Sequence, residues 1–559
     1  MDHQPFLRAI RAKPEDDLPR LVYADALEES GASERAEFIR VQVALANTPE
    51  HDPQFRVLED REHELLGKNE RSWMCNPTVT PQEWAWHRGF VDEVINVERS
   101  LLALQDCLKD QVVTKLEVTE TTDNEASFQL PLDEWSSDLR TLTLHGETDS
   151  SRWRECLDRP TCGLRALHSR DSGDRAILNL VRFGELRQQL TSYRMYNPIG
   201  MNAELELRYY QDLAELFENG SLTDLRLVDA MSSVDFIPEQ LFQLLRSNAT
   251  RNLTSLDLSY SPIAPGTYRP FESSPAQLQT LNIAGTPLAS ISLKPLMEAR
   301  STQSLSSLEV NGTGSARTNL EAVANSQFWS QAERFSASQG TIQASTLEPL
   351  TKSGSLNLRH LDLGGNYLRT DGVRYLSEAP WADSLTYLSL WNNYLDDESC
   401  EVLAKSGRFK NLRSLQLTGN NVRQQDSDRE QITHRGIIAM CKSPALANLR
   451  MLALGHMDIG DAAVEAIFQA PFTLAALHLN RTNISKRSIR TMLLSPKLAR
   501  LNTLDLADNS NLGGMVLMPL AESPYLSPLC ELDVSGIQID MRVAEAFEER
   551  LGRRFTHSG

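Results

Sequence analysis

Between Leu358 and Val422 one phrase occurs three times: LRHLDLGGNYL from Leu358, LTYLSLWNNYL from Leu385 and LRSLQLTGNNV from Leu412. Successive starts differ by 27 residues, from 358 to 385 and from 385 to 412. At the centre of the first copy Leu361 and Leu363 alternate with His360 and Asp362, which predicts a short strand with one buried face. The ninth place holds Asn366, Asn393 and Asn420. An amide there both donates and accepts, so it is expected to satisfy backbone groups where the chain turns off the strand. The stretch after each copy has helical spacing, as at Gly372, Val373 and Leu376. A single copy cannot bury its leucines, whereas stacked copies share one continuous core.

Working outward, about sixteen copies can be placed, starting at Val113, Leu139, Leu164, Leu190, Leu222, Leu253, Leu278, Leu305, Ala332, Leu358, Leu385, Leu412, Leu449, Leu474, Leu501 and Leu529. Most gaps are 25 to 28 residues. The pattern resembles the leucine-rich repeat, and its length resembles the ribonuclease-inhibitor-like class, with room for a helix in each repeat. The expected fold is therefore an α/β solenoid: one continuous arc of parallel strands inside and helices outside, over residues 113–540. The ninth place drifts to Thr121, Thr286, Thr313 and Thr482, which bond backbone less completely, and Pro198 stands there in one early copy. Val543, Phe547 and Leu551 predict a capping helix within 541–559. The two widest gaps are 32 residues from Leu190 to Leu222 and 37 from Leu412 to Leu449. The second contains the polar run 423–431, readable as a binding insertion or as a tolerated excursion.

Residues 1–68 read as a small all-helical domain. Phe6, Leu7 and Ile10 mark a first helix, and Pro14 to Pro19 breaks it. Leu18–Glu29 is the second, with Leu21, Val22 and Leu27 inward, stopped by Gly31. Glu34–Ala46 carries Phe38, Ile39, Val41 and Leu45, and a fourth helix is expected over Pro53–Leu66. The phrases FLRAI from Phe6, PEDDLPRLVYAD from Pro14, LEE from Leu27 and EFIRVQ from Glu37 resemble the repeat-companion domain. That module accompanies leucine-rich and other repeats in planctomycete bacteria. Ala26 departs from the family, which carries Trp there, so packing is expected to be looser at that point. The resemblance implies a bacterial source and a repeat partner, and brings no activity with it. Residues 69–112 read as linker and cap. Trp73, Trp84 and Trp86 are expected to seal the first edge of the repeat core, the alternative being a ligand-stacking cluster.

A net charge of −19 and a pI of about 5.1 disfavour nucleic acid and anionic membranes as partners. The seven cysteines are scattered, and Cys156 and Cys162, the one close pair, fit no metal motif. They read as reduced thiols of a cytoplasmic protein. The N-terminal residues hold no long apolar run, and no membrane span is expected.

Phosphate-binding glycine loops, nucleophile elbows and metalloprotease pairs are not found in the sequence. The acidic run Asp16, Asp17, Asp25, Glu28 and Glu29 reads as a solvated helix face rather than a metal site. No cofactor is expected. What remains is surface, because the third, fifth, seventh and eighth places of each copy point away from the core. In the early copies they include His168, Arg170, Arg194, Tyr196 and Arg226, a basic and aromatic patch. In the central copies they include His360, Asp362, Tyr387, Trp391, Asn392 and Gln416. Toward the C-terminus they include His456, His478, Arg481, Asp505, Asp508 and Asp533. Aromatic and Arg side chains dominate interface energetics. Trp391, between Gly364, Gly365 and Gly419, either anchors a partner or lies flat to shield backbone. The expected function is a monomeric, non-catalytic scaffold that binds an unidentified protein on its concave face. The alternative is a regulatory subunit of an enzyme such as a GTPase or nuclease, by fold analogy. A catalytic N-terminal module is a third option.

Overall fold

The computed structural model describes residues 2–49, 53–73, 83–97, 111–119, 139–145, 163–170, 189–196, 211, 213–215, 217–228, 239–261, 263, 268–287, 292–312, 317–352, 356–420 and 431–557. They fall into two units, Met1–Ala264 with Arg269–Leu278, and Pro265–Tyr268 with Gln279–Gly559.

The first unit opens with four helices, α1 Gln4–Ala12, α2 Leu18–Glu29, α3 Ser33–Asn47 and α4 Pro53–Trp73. The break between α1 and α2 is as expected, and Gly31, at φ +90, lies just beyond α2. Val22 was expected to face inward but is 48% exposed, while Leu27 is 3% exposed. At 3.6 residues per turn, burying Arg20, Tyr23, Ala24 and Leu27 on one side turns Val22 to the other.

The helices are bound into the start of the sheet. Strands β1 Glu83–His87 and β2 Phe90–Val97 form an antiparallel hairpin whose tip enters the helical layer. Gly89 N–H donates to Gln42 Oε1 at 2.5 Å, and Arg35 donates to the Gly89 carbonyl at 2.5 Å. A Cβ on Gly89 would lie 2.9 Å from Ile39 Cα, so glycine is required there by space as well as by its φ of +92. Phe90 and Val112 join Leu7, Ile10 and Ile39 in one buried cluster. Trp73 and Trp86 pack with Phe38 beneath the Arg35 guanidinium, which lies 4.9 Å from the Trp73 ring centre and 5.2 Å from that of Trp86. Trp84 and Trp86 each donate to Glu70 Oε1, at 3.0 and 3.2 Å. The tryptophans thus join helices to sheet.

From β2 the ladder runs parallel through β3 Lys115–Thr119, β4 Thr141–His145, β5 Ala166–Arg170, β6 Ser192–Tyr196, β7 Asp224–Val228 and β8 Ser255–Asp257. The second unit continues the same plan with β9 Thr280–Asn282, β10 Ser307–Glu309, β11 Arg334–Ser336, β12 His360–Asp362, β13 Tyr387–Ser389, β14 Ser414–Gln416, β15 Met451–Ala453, β16 Ala476–His478, β17 Thr503–Asp505 and β18 Glu531–Asp533. All pair in parallel, in chain order. Each of the sixteen strands β3 to β18 starts two residues after the first position read from the sequence. Helices such as Arg369–Glu378, Asp397–Lys405, His434–Cys441 and Gly460–Gln469 pack side by side in the same order. The wide gap after Leu412 leaves the ladder unbroken, since Leu415 pairs directly with Leu452; residues 421–430 lie outside the described part. The C-terminal helix, Met541–Leu551, buries Val543, Phe547 and Leu551. Beyond it, β19 Phe555–Thr556 adds a further parallel strand, which the sequence reading did not foresee.

The ninth-place amides behave as expected, and more fully. Asn420 is 1% exposed; its Nδ2 donates to Leu390 O at 2.9 Å and Leu417 O at 2.7 Å. Its Oδ1 accepts from Asn393 N at 2.7 Å and Leu395 N at 3.1 Å. Thr286, in the same place, makes one such bond, to Ile283 O at 2.7 Å. The eighth place carries a signal the sequence reading missed. In the copies from Leu253 to Leu529 its φ lies between +51 and +73, at Tyr260, Gly285, Gly312, Gln339, Gly365, Asn392, Gly419, His456, Arg481, Asp508 and Gly536. Gly365 and Gly419 are explained by that left-handed turn. The fifth place carries another: Asp257, Asn282, Asp362, Asp505 and Asp533 each accept from the N–H two residues on, at 2.8 to 3.0 Å. These side chains start the turn off the strand.

Candidate functional site

In the second unit, β12 and β13 set His360 opposite Tyr387. Parallel register at neighbouring strands brings the rings into a stack, with centroids 3.9 Å apart and planes 4° apart. Both are half-buried. Burial, then Arg334 on β11, pushes the His360 pKa down to about 4, so the imidazole is neutral near pH 7. Burial, then Asp362, pushes the Tyr387 phenol up. Trp391 lies over the preceding copy. A Cβ on Gly365 would come 2.9 Å from Trp391 Cη2, and one on Gly364 would run into the indole itself. Gly419, by contrast, faces Asn392. The ring therefore covers backbone while staying half-buried. Gln416 sits in register with Ser389, beside these groups.

In the first unit the fourth and sixth places are buried, and the fifth place makes a polar row from Glu117 to Asp257. Thr143, His168, Arg194 and Arg226 are successive partners across β4 to β7. The row predicted to be basic is partly neutralised by Asp224, which sequence reasoning passed over. Arg194 Nε donates to Asp224 Oδ2 at 2.9 Å, and Arg226 Nε lies 3.5 Å from Oδ1 of the same carboxylate. Burial would raise the Asp224 pKa, yet bonds from Ser255 and Ser192 and the charge of Arg194 outweigh it and hold the carboxyl below its ordinary value. His168 is pushed down to about 4 by burial, then by Arg194. His145 Nε2 lies 2.8 Å from Glu117 Oε1. A concavity of about 460 Å³ opens on this face, lined by Glu93, Lys115, Glu117, Thr143, His168 and Arg194 among others. Arg170 and Tyr196 are in register with His145 and Val228, and their side chains lie outside the described part.

Near the C-terminus His478 Nδ1 is 3.6 Å from Asp505 Oδ2, and Arg481 pairs with Asp508 at 3.1 Å. In the N-terminal acidic run, Asp25 and Glu28 each meet Arg40 at 2.6 Å. A groove of about 740 Å³ that sequence reasoning missed runs beside Tyr367, Arg369, Arg374 and Tyr375, with Tyr367 stacked on Tyr394 at 5.4 Å. The tenth place, where Tyr367 and Tyr394 both stand, was the legible signal. Among the described residues no group of three or more His, Cys, Asp or Glu is placed to hold a metal ion. No helix among them is long and apolar enough to cross a membrane.

A family model described as Leucine Rich repeat matches residues 354–377, which take in the copy from Leu358 and most of its helix. With the strand ladder and its ninth-place amides, the fold of this chain is an α/β solenoid of the leucine-rich-repeat kind. NACHT, LRR and PYD domains-containing protein 9C of Mus musculus is 31% identical over 166 residues, 29% of this chain and 16% of that protein. The match therefore spans less than a fifth of the relative's length. Among solved structures, an internalin of Listeria monocytogenes is 18% identical over 64% of this chain and 94% of its own, with a TM-score of 0.37. The Rad7 and Elc1 complex of yeast is 15% identical over 73% and 79%, with a TM-score of 0.34.

Proposed function

We propose that this protein is a non-catalytic, cytoplasmic interaction scaffold that holds a protein partner on the concave face of its repeats. In this reading the helices of residues 1–68 are a repeat-companion domain and the repeats are of the ribonuclease-inhibitor-like class. The observation that carries the proposal is the row of half-buried rings on adjacent copies, His360 stacked on Tyr387 and Trp391 spread over Gly364. Rings already held in place lose little entropy when a partner covers them, and aromatic anchors dominate binding energies. The buried free thiols Cys400, Cys441 and Cys530 support a reducing compartment. Capture of partners from native lysate tests the reading. Trp391→Ala and Tyr387→Ala should each weaken capture at least tenfold without changing the chain's unfolding midpoint by much. If both variants capture as the parent does while deletion of 423–431 abolishes capture, the binding site is the insertion and the concave-face reading is wrong.

A further inference from the structure

Residues 402–503 hold fifteen Lys and Arg against six Asp and Glu, a local +9 in a chain of −19. The fold gathers much of that excess on one side. Helices Asp397–Lys405, His434–Cys441, Gly460–Gln469 and Lys486–Leu493 end there, and connections 406–413, 442–450, 470–475 and 494–502 carry the chain on into β14 to β17. The four connections hold Arg408, Lys410, Arg413, Lys442, Arg450, Lys497 and Arg500, and no Asp or Glu. They stack in chain order. Asn448 Nδ2 donates to Lys410 O, Arg450 N to Arg413 O, Ala475 N to Arg450 O and Asn502 N to Ala475 O, each at 2.7 Å. Arg413 and Arg450 therefore occupy the second places of adjacent strands, ~4.8 Å apart.

Nearby negative charge leaves the centre of this strip basic. Asp383 lies 3.3 Å from Arg408 and Glu401 2.6 Å from Lys405, and each balances its cation. The helices ending at Lys405 and Cys441 bring roughly half a negative charge each, about one in all, against Lys410, Arg413, Lys442 and Arg450. Glu378 ends the helix before the one that carries Lys405. On the far side Glu531 is three strands beyond Arg450, roughly 14 Å away, with Lys497 and Arg500 between. Lys410 and Lys442 are exposed, and their side chains make no hydrogen bond or ion pair among the described residues.

We propose that connections 406–413 and 442–450, with Lys410 and Lys442 as the reaching cations, are a docking edge for an acidic segment of a protein partner. The edge goes beyond the ring-anchored reading and does not depend on it. A short acidic segment lies within about one Debye length, ~10 Å at 0.1 M salt, of these cations. A long nucleic acid or a membrane surface extends past them and meets the rest of the chain, whose charge is −28 (−19 less +9). The occupant is therefore an acidic peptide stretch.

The test uses the full chain and three fluorescent octapeptides on a Gly/Ser background, carrying Glu, Gln or Lys at alternate positions. Anisotropy at low salt should show the Glu peptide binding at least tenfold tighter than the Gln peptide, with the Lys peptide no tighter than the Gln one. The double variant Lys410→Glu, Lys442→Glu should abolish the preference, and Lys410→Gln, Lys442→Gln should reduce it part way. The control Arg435→Glu, Lys486→Glu makes the same change in net charge at the opposite ends of helices in neighbouring copies. It should keep the preference within about threefold. All these side chains are exposed, so each variant should unfold at the parent's midpoint. Trp391→Ala should leave peptide binding unchanged. Equal affinity for the Glu and Gln peptides overturns the edge, as does an equal loss in the Lys410, Lys442 and control variants. Loss of Glu-peptide binding in Trp391→Ala would move the acidic segment to the rings and overturn it too. Phosphatidylserine vesicles or an oligothymidylate that bind more tightly than the Glu peptide, and lose binding in Lys410→Glu, Lys442→Glu, would make the edge a lipid or nucleic-acid site and overturn the protein partner.

Discussion

At Asn420 one side chain closes four backbone groups across two copies: the carbonyls of Leu390 and Leu417 and the N–H groups of Asn393 and Leu395. Water does not reach them, so Asn420→Ala leaves several buried groups unpaired at about 1–3 kcal/mol each. The expected loss in urea unfolding is roughly 2–5 kcal/mol, with Asn420→Thr losing less because a hydroxyl replaces part of the set. An unchanged midpoint for Asn420→Ala would refute this account of the turn. His168 and His360 set the pH response at the same scale. Both are held near 4, against an ordinary value of 6.5. The unfolded chain then takes up protons first as the pH falls, so stability from keeping these rings neutral is complete above about 6.5 and is lost progressively toward 4. The double variant His168→Gln, His360→Gln should unfold with a flatter pH dependence over that window than the parent. A slope equal to the parent's would show that neither ring is desolvated as described.

Each strand is three to five residues long from β3 to β18 and depends on its neighbours. Leu388 lies between Leu361 and Leu415 on adjacent strands and is fully buried. Leu388→Ala is expected to cost roughly 2–5 kcal/mol. Because copies contact only their neighbours, amide protection should fall in the copies from Leu358 and Leu412 and persist in α1 to α4. A uniform loss of protection would mean that the array unfolds as one block. The helices are coupled in the same way. Asp461, on the helix Gly460–Gln469, accepts from Ser485 N at 2.8 Å and Ser488 N at 3.2 Å, capping the helix of the next copy. The seam between helices and sheet at the N-terminus is equally specific, since Gly89 admits no Cβ against Ile39.

Over the whole molecule the net charge of −19 sets how a partner approaches. Long-range attraction is screened by salt, with a Debye length of about 10 Å at 0.1 M, whereas ring contacts are not. Once a partner is in hand, Arg194→Ala should weaken binding mainly at low salt and Trp391→Ala at every ionic strength. Affinities measured at low and at high salt would separate the two, and parallel losses for both variants would count against two distinct contacts.

The period, the places of the sixteen strands β3 to β18 and the four N-terminal helices were legible in the chain alone. They rest on residue types repeated at fixed spacing, and a repeated pattern is a local property. The ninth-place Asn was legible for the same reason: an amide suits a turn wherever it stands. The left-handed eighth place was partly hidden, because Tyr260, Gln339 and Arg481 occupy it where glycine would have announced it. Neighbours in space settled the rest. The sequence shows three arginines in an acidic protein, but register put Asp224 between two of them. It shows Trp391 among glycines, but packing laid the ring on Gly364 and Gly365 and not on Gly419. Side-chain partners lie about one repeat apart, at a separation where composition carries no information and stacking decides which atoms meet.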